Sequence, residues 1–151
     1  MKHLPGDVIQ LARAGTFEVI VHGCNCFCTM GAGIAKTIKQ AFPAAYQADL
    51  ATVTGDQAKL GTISFAEAFI GDHKVIIVNG YTQYHFKGPG RKVDYDAVRG
   101  VFAVVKSQFS GLRIGYPAIG AGLGGGDWKI ISRIIDAELA GEDHTFVQYR
   151  A

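Results

Sequence analysis

Two glycine-rich loops, each lying between an apolar strand-like run and a helix-like one, restrict what this chain can become. Five glycines fall between Gly120 and Gly126 in the run Pro117-Ala118-Ile119-Gly120-Ala121-Gly122-Leu123-Gly124-Gly125-Gly126-Asp127-Trp128, and Gly31-Ala32-Gly33 forms the other loop. A purely structural turn needs one or two glycines. A longer run strips side chains away so that peptide N–H groups can approach an anion, and the following helix adds unpaired donors and the positive end of its dipole. The expected ligand is nucleotide-like.

The segments around the loops set the architecture. Asp7 is a good N-cap for a short helix over residues 7–13, closed by Gly15, and residues 17–22 read as a buried strand that runs directly into the first loop. Apolar residues recur at helical spacing over 34–42, where Pro43 is expected to end the helix. Residues 62–70 and 74–79 are strand candidates joined by the Gly71-Asp72 turn signal, and a hairpin is expected. Beyond an irregular stretch containing Gly88-Pro89-Gly90, Asp94 caps a helix through about Phe109. A strand over 113–117, the second loop, a helix over 128–139 and a last strand over 145–149 complete the reading. Strands alternating with helices favour a sheet covered on both faces, with ligand loops gathered at the carboxyl ends of the strands. Both glycine loops then share one rim, where two cradles suit a diphosphate better than an isolated phosphate.

Composition closes off other classes. A chain of 151 residues, 48% of them apolar, fits a single domain over 1–151 with a sizeable core. Fifteen basic against thirteen acidic residues give a net charge of +2 with no long run of either sign, so a polyanion or a membrane surface is not the first partner to expect. No apolar stretch reaches the roughly 18 residues of a membrane span, and the N-terminus lacks the apolar core of a signal peptide; the expected location is the cytoplasm. Cys24, Cys26 and Cys28 stand too close together for ordinary disulfides and lack zinc-site spacing, so they read as reduced thiols without a catalytic role, and no metal is expected.

Named chemistries can be tested against the loops. A Walker A loop requires glycine before Lys36, where Ala35 stands, and at Met30. A cysteine phosphatase would place an arginine six residues after its nucleophile, but Met30, Ala32 and Ile34 occupy those positions. Gly120-x-Gly122-x-x-Gly125 matches the dinucleotide fingerprint formally, yet no acid for a ribose follows at the end of the next strand, which leaves a hydride-transfer enzyme as a minor alternative.

Four pieces together resemble the macro domain family: Gly6-Asp7-Val8-Ile9; Val19-Ile20-Val21-His22-Gly23-Cys24-Asn25-Cys26; Met30-Gly31-Ala32-Gly33-Ile34-Ala35; and Pro117-Ala118-Ile119-Gly120-Ala121-Gly122-Leu123 with Trp128 beyond. They occur in the family's order over nearly the whole chain. The form His22-x-Cys24-Asn25-Cys26 is most similar to the branch containing ADP-ribose 1''-phosphate phosphatases and the glycohydrolases that clear terminal ADP-ribose from protein.

The resemblance implies a three-layer α/β/α fold with a central mixed, mostly parallel sheet and a cleft for ADP-ribose or its 1''-phosphate; a monomer is expected, and no cofactor. It implies that Asp7 accepts a hydrogen bond from the adenine amino group, that Val8 and Ile9 line the base pocket, and that Asn25 orients the distal ribose. Gly31, Ala32, Gly33 and Ile34 would be the first diphosphate loop, and Ile119, Gly120, Ala121, Gly122 and Leu123 the second. Glycohydrolases of this branch use a lysine and an aspartate where this chain carries Gln83 and Gly124, with Lys87 the nearest substitute. The leading expectation is therefore hydrolysis of ADP-ribose 1''-phosphate, with His22 and Asn25 catalytic, His22 activating or positioning water and His85 and Asp94 as candidate helpers. The alternatives are a non-catalytic ADP-ribose reader and removal of ADP-ribose from a macromolecule by a different constellation.

Each assignment has a structural counterpart. Asp7 can serve only as a cap worth about 1 kcal/mol. His22 can be a buried histidine satisfied by a neighbour, and Asn25 can merely fix its turn. Trp128, Ile131, Ile134 and Ile135 recur as a core-facing stripe, and Arg91-Lys92 read as solvated charges. Tyr81, Tyr84 and Phe86 are candidates to stack on the ligand.

Overall fold

The computed structural model describes all 151 residues. Six strands form one sheet: β1 (Lys2–Gly6), β2 (Val19–Cys24), β3 (Ile63–Ile70), β4 (His73–Tyr81), β5 (Ile114–Tyr116) and β6 (His144–Tyr149), in the order β1-β6-β5-β2-β4-β3. All neighbours are parallel except β3, which pairs with β4 as an antiparallel hairpin. The five helices are α1 (Val8–Arg13), α2 (Gly33–Ala41), α3 (Pro43–Leu50), α4 (Tyr95–Phe109) and α5 (Trp128–Glu138). Two apolar clusters bury the two faces of the sheet. One joins α4 and α5 to β2, β4 and β5 through Val101, Phe102, Ile131 and Ile135; the other joins α1, α2 and α3 through Val8, Ala12, Ile38 and Ala45. The chain has a three-layer α/β/α fold with a central mixed, mostly parallel sheet.

Local chemistry explains the element starts. Asp7, Asp94 and Asp127 each accept main-chain N–H bonds at the first turns of α1, α4 and α5. The helix expected over 34–42 ends at Ala41, two residues before Pro43, but Pro43 also begins α3, because a ring without an N–H suits a first helical turn whose donors have no partner. Strand β1 escapes sequence reading because its five residues alternate poorly and include Pro5; pairing to β6, not propensity, makes it a strand. No helix is long and apolar enough to cross a membrane.

Candidate functional site

In a largely parallel sheet the residues beyond the carboxyl ends of adjacent strands converge, and here they enclose a cleft of about 940 Å³. After β2 come Asn25, Thr29 and the 31–35 segment; after β4, Thr82, Gln83 and Phe86; after β5, residues 117–120 and 122–124. The end of β6 adds Phe146 to Tyr149, and Trp128 opens α5 beside Phe146 with ring centroids 4.5 Å apart. Both glycine loops therefore border one cleft, whose volume is that of sites for sizeable organic ligands.

The loops are built to donate. The main-chain N–H groups of Gly31 and Ala32, and those of Gly122, Leu123 and Gly124, make no hydrogen bond within the protein. Helix α2 has no side-chain cap, since Ala32 occupies that position, so the positive end of its dipole meets the cleft. The second loop holds its shape through Gly126 N–H to the Gly120 carbonyl at 2.7 Å and Gly125 N–H to the Gly122 carbonyl at 3.0 Å. In the first, Cys28 and Met30 adopt φ of 56° and 39°, unusual for residues with side chains, immediately beneath the donor segment.

Asn25 lines the cleft and braces it. Its Oδ1 accepts from Phe27 N–H at 2.8 Å and its Nδ2 donates to Thr29 Oγ1 at 2.8 Å. One amide hydrogen and one lone pair remain for a ligand. Asn25→Asp keeps the Phe27 bond and loses the donor, so it is expected to weaken ADP-ribose binding about tenfold without unfolding the loop, whereas Asn25→Ala loses both and lowers Tm as well; calorimetry and thermal melts on the same samples separate the two.

Several expected contacts are corrected by position. His22 is fully buried, does not line the cleft, and faces Asn79 Oδ1 at 2.6 Å. Asn79 spends its Nδ2 on the Ala45 carbonyl and Ser64 Oγ, so its Oδ1 must accept and His22 Nε2 carries the hydrogen. Burial lowers the His22 pKa to about 4, against a smaller opposing effect of the Asn79 bond, so the ring is neutral at pH 7 and shut off from substrate. Val8 and Ile9 pack into the core from α1 and do not line the cleft. Ala121 turns away, donating to the Ala118 carbonyl and packing against the other core cluster. Asp7, expected to contact the base, does not line the cleft: it spends Oδ1 on the α1 cap and keeps Oδ2 unbonded.

Gly31, Ala32, Gly33, Ile34, Ile119, Gly120, Gly122 and Leu123 all line the cleft. Of the aromatic candidates Phe86 borders it, Tyr81 is buried, and Tyr84 turns aside to bond the Gly55 carbonyl at 2.8 Å. Trp128, read as core, borders the cleft as well, and so does Lys92. His85 Nδ1 accepts from the N–H groups of Phe86 and Lys87, Asp94 caps α4, and none of His85, Lys87 or Asp94 lines the cleft. Cys24, Cys26 and Cys28 are buried free thiols; burial pushes Cys24 and Cys26 up, so they are not thiolates at neutral pH.

The Macro domain family pattern matches residues 21–135, a span that includes the Asn25 turn and both glycine loops. This chain belongs to the macro domain family. The macro domain is 38% identical over 141 residues to an uncharacterized 17.5 kDa protein of the tk-vs intergenic region of Enterobacteria phage T4, covering 90% of this chain and 88% of that protein. It is 41% identical over 46 residues to an ADP-ribose 1''-phosphate phosphatase of Aspergillus oryzae, which covers 30% of this chain and 21% of the fungal protein. Its fold is similar to Thermosipho africanus DarTG in complex with ADP-ribose, with a TM-score of 0.73 and 18% identity over 99% of this chain and 41% of that one.

Sequence reading missed one lining residue of a different kind. Asp49, on α3, is 1% exposed yet borders the cleft, and its Oδ2 is the one buried side-chain N or O atom with no hydrogen-bond partner. The sequence offered no signal for it beyond a charge in an otherwise apolar and polar-neutral helix.

Proposed function

We propose that this macro domain binds ADP-ribose in the cleft and hydrolyses the bond that joins another group to C1'' of the terminal ribose. The observation that carries the reading is the set of unpaired N–H donors on two loops of one rim, a cradle for two linked phosphates. The aromatic end of the cleft, with Trp128, Phe146 and Tyr149, suits a base. The Asn25 end then receives the terminal ribose. With Gln83 and Gly124 at the positions of the glycohydrolase lysine and aspartate, no covalent adduct with an amine is available and water attacks directly.

Release of ADP-ribose from a modified macromolecule comes first, because Phe86 and Leu123 at the lips are exposed and leave the cleft open to a bulky attached group. The stretch shared with the fungal phosphatase favours ADP-ribose 1''-phosphate as the second reading. One experiment compares them: the protein is incubated with ADP-ribosylated protein, with an ADP-ribosylated oligonucleotide and with ADP-ribose 1''-phosphate, while free ADP-ribose and phosphate are followed. ADP-ribose released from a macromolecule supports the first reading; phosphate release alone supports the second. Tight ADP-ribose binding with no product from any substrate leaves a reader and ends the hydrolase reading.

A further inference from the structure

Asp49 has the features of a working carboxylate. Its Oδ1 accepts from the Tyr81 hydroxyl at 2.7 Å, and that hydroxyl also meets Ser64 Oγ at 2.8 Å. Tyr81 ends β4 and is registered against Cys24, the residue before Asn25, which places this pair beneath the end of the cleft assigned to the terminal ribose. The main chain of Asp49 is held too: its carbonyl accepts from Cys28 Sγ at 3.1 Å and from Thr52 Oγ1 at 2.6 Å. With Oδ1 and the backbone fixed, Oδ2 is left as a buried acceptor without a partner on a residue that borders the cleft. A buried acceptor without a partner costs stability, so it persists where it serves a ligand or a reaction.

We propose that Asp49 is a catalytic residue, the general base that takes a proton from the water attacking C1''. This deepens the hydrolase reading and rests on it. The water oxygen bonds to C1'' as the bond from C1'' to the attached group breaks with its electron pair. The water proton goes to Asp49 Oδ2 and then to solvent, and solvent returns a proton to the departing oxygen. Water is the sole co-reactant, and the same step serves a macromolecular or a phosphate leaving group.

The surroundings tune the acid. Burial raises Asp49 above the usual carboxylate range, opposed by the Tyr81 bond and by attraction to Lys59, whose Nζ lies 4.6 Å from the Tyr81 ring centre and donates to the Cys26 carbonyl at 3.1 Å. Cys28 Sγ is 3.4 Å from that same Nζ, and Cys24 and Cys26 complete the titratable groups around the pair. A carboxylate made more basic by burial suits a general base.

Asp49→Asn preserves shape and the Tyr81 bond while removing the base. Turnover of whichever substrate the wild type hydrolyses is expected to fall about 100-fold or more, with the Kd for ADP-ribose within about threefold and Tm within about 2 °C. Tyr81→Phe removes the bond that favours the ionised form, so its turnover is expected to hold at high pH while the acidic limb of the pH profile moves upward. Asp49→Asn turnover within threefold of wild type overturns the proposal, as does ADP-ribose binding lost in proportion to turnover. If Asp49→Asn fails to fold, the Tyr81→Phe profile decides: an unmoved acidic limb rules Asp49 out. A wild type that binds ADP-ribose but processes no substrate removes the hydrolase reading itself, which is visible before any variant is made.

Discussion

Gly122→Val is expected to abolish ADP-ribose binding at micromolar protein while leaving the melting temperature within about 1 °C. Gly122 lies in the second donor loop, its φ is not positive, and a Cβ built there meets nothing within 4 Å. The fold therefore has no use for a glycine at this position, and the open space above it is the cleft. A branched side chain would fill the cradle and bar the approach of a diphosphate to the unpaired N–H groups of Gly122, Leu123 and Gly124. Loss of about 100-fold in affinity, roughly 2.7 kcal/mol, is the minimum expected by calorimetry. Gly126→Ala makes the contrast. Its Cβ would sit 2.5 Å from Val93 Cγ1 and 2.8 Å from the Gly120 carbonyl oxygen, so that variant is expected to lose stability by about 1–3 kcal/mol through overpacking. Gly122→Val with intact ADP-ribose affinity would remove the cradle as the binding site.

His22→Ala is expected to behave as a core mutant. The ring is fully buried, so truncation leaves a cavity and strips Asn79 Oδ1 of its donor; together these cost about 3 kcal/mol, readable by urea unfolding. Its pH dependence follows from linkage. The folded-state pKa of about 4 lies below the ordinary 6.5, so above pH 6.5 the ring is neutral in both states and contributes no slope. Between pH 6.5 and 4 the unfolded chain binds the proton and the native one does not, and roughly 3 kcal/mol of stability drains away as pH falls. His22→Asn lacks the titrating group and is expected to show a flatter stability profile over that window. A His22→Ala protein with unchanged Tm and abolished turnover would restore the histidine to the reaction.

Much of this was readable in the residues alone. Strong local signals carried the elements flanking the loops: Asp7 and Asp94 as caps, the Gly71-Asp72 hairpin, and the apolar runs of β2 and β4. Local signals failed where partners supply the order. Strand β1 exists through its ladder with β6, and α3 begins at the proline that had read as a terminator. In the cleft, the glycine loops and Asn25 were legible because their chemistry is backbone chemistry tied to sequence position. Phe146, Gln148 and Tyr149 were not, since they enter only because the parallel sheet brings the end of β6 beside β5 and β1.

His22 and Asp49 divide the two kinds of information most sharply. By itself the sequence determined a strand–glycine–helix chain with two anion cradles on one rim, because glycine runs and apolar periodicity act over a few residues and need no distant partner. Which ionisable side chains meet the ligand was decided by tertiary structure alone. His22 lies in β2 two residues before its end at the Asn25 loop, yet the pleat turns it to Asn79, 57 residues away, where burial holds it neutral. Asp49 sits in a helix without sequence signals of a site, yet packing of α3 against the sheet sets it on Tyr81, 32 residues away, where it borders the cleft with one buried oxygen unpartnered. Side-chain direction and desolvation depend on the whole sheet and its helices, and a short window of sequence contains neither.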